Sequence, residues 1–399
     1  MQLLNRKLAA SMAGGSFIRK MFEKGIELKK KFGEDAVCDF SLGNPDVPPP
    51  AAAGEVLAEI ARQAVKPLGL GYCPNAGLPV FREAAAAMVS RQQNMAVPAG
   101  NIVATVGAAG AIVSFFRAVL EDGDEVIVPS PYFVEYGNYC GHFGGVLKPV
   151  PAKAPSFDLD VEAIAAAITD RTRAIIINSP NNPTGAIYPF ESVKALADVI
   201  EKVNAARERP VFLLSDEPYR VFAFDGATVP PILPLTKWAV VLGSFSKSLS
   251  LAGERIGYIA PSPEMPEVGS MLAALTLANR TLGFVNAPVI GQRLAAALSE
   301  TSVDLKIYAR RRKLMAEVLT AAGIEFTMPR GAFYFFPKAP GGDDSVFTDA
   351  LLKENILAVP GSGFGCPGHI RLSFSVDEKI IARSAEGFKS AAEVCRQGK

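Results

Sequence analysis

The chain has 399 residues, 49% of them apolar and 20% charged, the profile of a folded globular protein rather than a disordered or fibrous one. Lysine and arginine number 41 against 40 for aspartate and glutamate, which leaves no global field to gather nucleic acid or an acidic membrane surface. Five scattered cysteines, never in a C-x-x-C pair, and only two histidines, His142 and His369, argue against a disulfide framework, a metal centre or chemistry built on a histidine base, and fit a reducing compartment.

At the N-terminus, Arg6, Lys7, Arg19 and Lys20 interrupt any apolar stretch that could serve as a signal peptide. The greasy segment 108–120 carries Arg117 and falls short of the ~18 apolar residues that span a bilayer. An uncleaved, soluble, cytoplasmic protein is expected. The length exceeds what one hydrophobic core usually organises, so two lobes are expected. An N-terminal helix and strand of a small lobe lead through the proline-rich stretch 44–50 into a large one.

Between 101 and 260, short β-branched runs alternate with helical patterns: NIVATV, EVIVP, GVLKPV, RAIIINSP, VFLLSDEP, WAVVLGSF and RIGYIAP. Several are continuously apolar, as in strands covered on both faces of a mainly parallel α/β sheet. Ligands bind at the carboxyl ends of such strands. Beyond 282 the pattern changes to long helical stretches over 288–322, strands at IEFTM, AFYFFP and HIRLSF, and a terminal helix. The expected division is 1–46 and 286–399 in the small domain and 47–285 in the large one.

Lys247 stands in GSFSKSLSLAGERIGY, directly after a strand. A lysine among serines is ordinarily a solvated loop residue, but burial in a cleft with nearby positive charge would depress its pKa and make it a nucleophile. Asp216 ends the apolar run VFLLSD; a carboxylate there needs a partner, either an arginine or a pyridinium nitrogen whose positive charge it would maintain. Tyr219, three residues on, is a core aromatic or aims its hydroxyl at the same ligand. SPNNPTG, from Ser179, has the composition of a tight turn, and its Asn182 carries an amide donor. GAAGA, from Gly107, opens a helix whose free N–H groups favour a phosphate, and Arg255 offers a guanidinium to the same anion.

This constellation resembles the aspartate-aminotransferase-like family, the fold-type I pyridoxal-phosphate enzymes of aminotransferase classes I and II. The resemblance runs through SLGNPD at Ser41, GYCPNAGLPVFREA at Gly71, GAAGA at Gly107, PYFVEY at Pro131, SPNNPTG at Ser179, SDEPY at Ser215, SFSKSLSLAGERIGY at Ser244 and HIRLSF at His369. It implies a large domain with a mainly parallel seven-stranded sheet, a smaller α/β domain from both chain ends, and pyridoxal 5'-phosphate as cofactor.

By that resemblance Lys247 forms the Schiff base and then shuttles the proton. Asp216 pairs with the pyridinium, Tyr219 and Asn182 bind the phenolate oxygen, and Phe133 stacks on the ring. Gly107, Ala108, Ala109, Ser244, Ser246 and Arg255 form the phosphate cup. Tyr72 reaches the phosphate of the other subunit, which implies an isologous homodimer with shared sites. Arg371 grips the substrate α-carboxylate, assisted by Gly43 and Asn182, and Arg280 either recognises a side-chain carboxylate in the partner's site or faces solvent on a helix. Ala108 and Ala109 stand where many relatives carry hydroxyl or acidic side chains, and Phe133 where they carry Trp or Tyr.

The implied activity is transfer of an amino group between an L-amino acid and a 2-oxo acid by a ping-pong route. Lyases and racemases share the first steps. Two other readings have less support. Ser244 to Lys247 spells S-x-x-K, but the S-D-N and K-T-G companions of that serine-hydrolase signature are missing. GSGFGCPG at Gly361 imitates a phosphate loop without its lysine. Ligand-sensing relatives that do no catalysis carry an added DNA-binding domain, whereas this chain is expected to start with the small lobe.

Overall fold

The computed structural model describes residues 3–5, 8–9 and 17–398, so Arg6 and Lys7 of the leader argument lie outside the described residues. A helix over Phe17–Phe32 precedes β1 (Cys38–Asp39). The central sheet follows, built from β2 (Val103–Thr105), β3 (Glu125–Ser130), β4 (Val146–Pro151), β5 (Thr172–Asn178), β6 (Phe212–Asp216), β7 (Ala239–Ser244) and β8 (Gly257–Pro261). Each strand segment expected between 101 and 260 supplies one of them. Their spatial order is β2-β8-β7-β6-β5-β3-β4. β8 runs antiparallel to both neighbours, and the remaining pairs are parallel.

The apolar runs are explained by the two faces of this sheet. Side chains alternate along a strand, so Ile175 and Ile177 of β5 pack with Leu213 and Val241 on one side. Ala174 and Ile176 pack with Leu214, Val240 and Leu242 on the other. Helices cover both layers. In the helix Phe190–Asn204 the buried set Val193, Leu196, Ala197 and Ile200 follows the i, i+3, i+4, i+7 spacing of a single apolar stripe.

A second core gathers residues distant in sequence: Cys38 and Phe40, then Tyr219, Phe222 and Phe224, then Tyr308, Phe333, Phe335, Leu372 and Phe388. Here β1 pairs in parallel with β10 (Ile356–Leu357). β9 (Tyr334–Phe335), β11 (Val359–Pro360) and β12 (Ile370–Ser373) form an antiparallel sheet in the order β11-β12-β9. Packing changes sides between Leu298, which belongs to the core of the large sheet, and Val303, which belongs to the second core.

IEFTM is not a strand. The Ile324 amide turns back to Leu319 O at 3.0 Å as the preceding helix ends, and Lys338 N to Glu325 O at 2.9 Å is one backbone bond rather than a ladder. AFYFFP shortens to the two residues of β9 because the Ala332 amide is diverted to Phe222 O at 2.9 Å. Among the described residues no helix is long and apolar enough to cross a membrane.

Phe333 is 0% exposed and meets the rings of Tyr219, Phe222, Tyr308 and Tyr334 at centroid distances of 4.9 to 5.7 Å. Phe333→Ala is expected to lower the unfolding free energy by about 3–5 kcal/mol, read from urea denaturation. A loss below about 1 kcal/mol would show that this cluster of rings does not hold the second core together.

Candidate active site

Asn178, Asp216 and Ser244 are the last residues of β5, β6 and β7, so three adjacent strands deliver polar side chains to one edge of the sheet, where such folds bind ligands. A cavity of about 300 Å³ opens there. Its walls include Gly43, Ala108, Ala109, Phe133, Asn182, Asp216, Tyr219, Ser244, Ser246, Lys247, Arg255 and Arg371, together with Asn178, Tyr139 and Tyr334. A larger cavity of about 520 Å³, between residues 130–157 and 325–369, contains none of the expected site residues.

Asp216 is 5% exposed. Its Oδ2 accepts a hydrogen bond from the Tyr136 hydroxyl at 2.5 Å, whereas Oδ1 is buried without a partner. Burial pushes its pKa up to about 7; the Glu217 carboxylate adds to the rise and the Tyr136 hydroxyl opposes it. A buried carboxylate oxygen that lacks a donor is costly, and a ring N–H arriving in the cavity would supply one. Asn178 links this strand end to the SPNNPTG turn, donating from Nδ2 to Asp216 O at 2.8 Å and accepting the Asn182 amide on Oδ1 at 2.7 Å.

Lys247 lies in the single helical turn Phe245–Ser248, where Ser244 caps the Ser246 N–H at 3.1 Å. Its Nζ donates to Gly43 O at 2.5 Å. Burial, and then the positive Arg371 and Arg255, bring its pKa down to about 8, so a substantial fraction is neutral and nucleophilic near physiological pH. Ser244 Oγ is engaged with Ser246 Oγ at 2.8 Å, and Lys247 bonds Gly43 instead. The S-x-x-K spelling therefore does not form a serine–lysine pair.

Arg371 comes from β12 and is 2% exposed. Nη1 donates to Asn182 Oδ1 at 3.1 Å and Nη2 to Ser41 O at 2.5 Å, while Nε has no partner. The guanidinium lies over the rings of Tyr334 and Phe364, 4.8 and 4.9 Å from their centroids. Among the described residues no carboxylate pairs with it. Burial lowers its pKa, but a guanidinium stays charged, so it waits for an anion. Gly43 passes close by: a Cβ there would stand 2.0 Å from the Tyr334 hydroxyl. The segment carrying Gly43 is held by Ser373 N to Phe40 O at 2.8 Å and by the two-pronged Arg311–Asp46 pair at 2.6 and 2.9 Å.

At the opposite end, the helix Gly107–Val119 starts without a side-chain cap, which leaves its first N–H groups, including those of Ala108 and Ala109, free for an anion. Gly107 does not line the cavity. It makes room instead: a Cβ there would meet Arg255 Nη2 at 2.8 Å. With Arg255, Ser244 and Ser246 beside it, this end suits a phosphate, and the Asp216 end suits a cationic ring. The donor set therefore fits pyridoxal 5'-phosphate. Phe133 lines the wall, edge-on to Tyr136 at 5.6 Å.

Two expected site residues stand apart in this single chain. Tyr72 is 92% exposed, and Arg280 is exposed beside Arg82 and Asn75 at a separate depression. Sequence reasoning missed Tyr136, Asn178 and Tyr334. Tyr136 lies within the quoted PYFVEY motif and Asn178 closes the apolar run of RAIIINSP, so position was a usable signal for both. Tyr334 is embedded in AFYFFP, where nothing separates it from core. No group of three or more His, Cys, Asp or Glu side chains among the described residues could hold a metal.

The raised pKa of Asp216 makes its contribution to stability depend on pH. The folded state holds this proton from about pH 4 to about 7 while the unfolded chain releases it, so stability from this group is present below pH 4 and lost as pH rises through 7. Cofactor-free Asp216→Asn is expected to melt above the wild type at pH 8 and level with it at pH 4. Equal melting temperatures at pH 8 would show that the carboxylate is not penalised by its surroundings.

Comparison with known proteins agrees with this geometry. Residues 35–388 match the family described as aminotransferase class I and II. The chain is 34% identical to the probable aspartate/prephenate aminotransferase of Aquifex aeolicus, over 93% of this chain and 94% of that one. It is also 34% identical to the aspartate/prephenate aminotransferase of Thermus thermophilus, over 92% and 93%. The crystal structure of an aminotransferase from Eubacterium rectale superposes with a TM-score of 0.93 at 36% identity, covering 98% of this chain and 99% of that one. The chain belongs to the aminotransferase class I and II family and is an aminotransferase.

Proposed function

We propose that this aminotransferase uses pyridoxal 5'-phosphate to move an amino group between an L-amino acid and a 2-oxo acid, alternating the two half-reactions at one site. The observation that carries the reading is a single cavity holding a lysine depressed to about pH 8, a buried carboxylate with a free oxygen and a buried arginine without a carboxylate. When bound, the cofactor supplies an aldehyde that captures amines and a cationic ring that accepts the electron pair released at the substrate Cα.

The chain's own residues do the rest. Lys247, buried and with its pKa lowered to about 8, is the amine that would hold the cofactor's aldehyde and, when free, the base that would move a proton at the substrate Cα. Asp216, held by Tyr136, would face the ring nitrogen and favour its protonated form. Tyr219 and the Nδ2 end of Asn182, whose oxygen is occupied by Arg371, donate to the phenolate oxygen. Phe133 covers the ring face. Arg255, Ser244, Ser246 and the N–H groups of Ala108 and Ala109 hold the phosphate. Arg371 binds the α-carboxylate beside Asn182 and Gly43. Tyr72 and Arg280 act across a homodimer, Tyr72 on the phosphate and Arg280 on a substrate side-chain carboxylate.

Lys247→Ala is expected to abolish turnover while noncovalent cofactor binding persists; normal activity in this variant would end the assignment. Arg371→Ala should raise KM for amino and oxo acids by on the order of a hundredfold or more, since a buried ion pair broken on one side loses about 3–5 kcal/mol. A KM within about threefold of wild type would remove Arg371 from carboxylate binding. Aspartate and aromatic amino acids, offered singly to loaded protein, should convert the visible cofactor band to the amine form, and a 2-oxo acid should restore it.

A further inference from the structure

We propose that Tyr334 is a positioning residue that fixes the direction of the hydrogen bond given by Tyr219. The proposal rests on the reading above in which Tyr219 donates to the cofactor's phenolate oxygen. The two hydroxyl oxygens are 2.8 Å apart, and in the free site either can be the donor. A phenol carries one proton. Once Tyr219 commits its proton to the phenolate, the bond between the tyrosines survives only with Tyr334 as donor. The result is a directed chain from Tyr334 to Tyr219 to the ligand, in which each bond polarises the next.

The surroundings hold Tyr334 to that task. It sits in β9 opposite Ser373 of β12, two residues beyond Arg371, and is 1% exposed. Its ring lies beneath the Arg371 guanidinium at 4.8 Å and against Phe333 at 4.9 Å. Its hydroxyl occupies the space where Gly43 lacks a side chain, a position at which a Cβ would come within 2.0 Å. The pKa of Tyr219 is pushed well above its ordinary value, by burial first and then by Tyr334, so the proton needed for donation stays on it throughout the working range.

The test compares the wild type, Y334F, Y219F and the double variant, each loaded with pyridoxal 5'-phosphate. The visible absorbance is followed from pH 5 to pH 10, with circular dichroism to confirm the fold. A phenolate that receives a weaker hydrogen bond leaves the bound cofactor more basic. Y334F should therefore move the titration midpoint upward by about half a pH unit, the size of a partial loss from one charge-assisted bond. Y219F should move it further in the same direction, and the double variant should match Y219F, because Tyr334 acts through Tyr219. An unmoved midpoint in Y334F, or shifts that simply add in the double variant, overturns the proposal and leaves Tyr334 a packing residue. The wild-type arm separates the two levels of inference. If borohydride fixes no cofactor to Lys247 of the wild type, the cofactor reading fails and this proposal falls with it.

Discussion

Among the described residues, a guanidinium that no carboxylate pairs and a carboxylate oxygen that no donor meets line the same cavity, and the chemistry of the site follows from that constraint. Removing an ion from water costs several kcal/mol even after relaxation. Arg371 recovers part of that cost from Asn182, Ser41 and two aromatic faces, and Asp216 recovers part from Tyr136. Each retains one buried polar atom unsatisfied, Nε in the first case and Oδ1 in the second. The same burial, with the uncancelled charge of Arg371, depresses Lys247. The perturbed lysine, the perturbed aspartate and the waiting arginine thus have a common origin, burial around one cavity whose charges are left for a ligand to complete.

Keeping such charges apart in the folded state requires rigid support, and the two cores provide it from opposite sides. The large sheet fixes Asn178, Asp216 and Ser244 at neighbouring strand ends, where register leaves little freedom. The second core presents Arg371 on β12, Tyr334 on β9 and Gly43 on the segment after β1. The chain after Asp216 bridges them, because Tyr219, Phe222 and Phe224 pack into the second core. Its path is anchored by the buried Arg220–Glu217 pair at 2.9 Å and by Arg220 Nη2 on the carbonyls of Gln92 and Val229. The seam between the cores is therefore a set of side chains at strand ends and on short segments tied to them by hydrogen bonds and packing.

The same physics explains what could be read from the sequence. Strands buried on both faces are apolar along their length, so their ends stand out: Asp216 closes β6, and Lys247 and Asn182 follow shortly after the ends of β7 and β5. Tyr136 and Tyr334 were opaque because they sit inside aromatic stretches, where a tyrosine reads as packing until a tertiary partner shows what its hydroxyl meets. IEFTM failed as a strand for a related reason: its composition is right, but ladder formation depends on a neighbour, and the amides on either side are committed elsewhere. Gly107 belongs to the GAAGA motif, and the structure shows there the absence of a side chain beside Arg255, a feature that motif reading does not distinguish from contact.

The substitution of alanine at 108 and 109 gives the two ends of the cavity different responses to pH. Backbone N–H groups and the positive end of a helix dipole carry no titratable proton. Ser244 and Ser246 are neutral hydroxyls already bonded to one another. The backbone donors at that end therefore do not titrate across the neutral range. At the other end, Asp216 near pH 7 and Lys247 near pH 8 both change charge within that range. Ligand charge acts back on both: a cationic ring beside Asp216 favours its ionised form, and a neutral Lys247 is the form that can attack. The cavity thus combines a main-chain end that carries no titrating proton with an end where Asp216 and Lys247 do titrate.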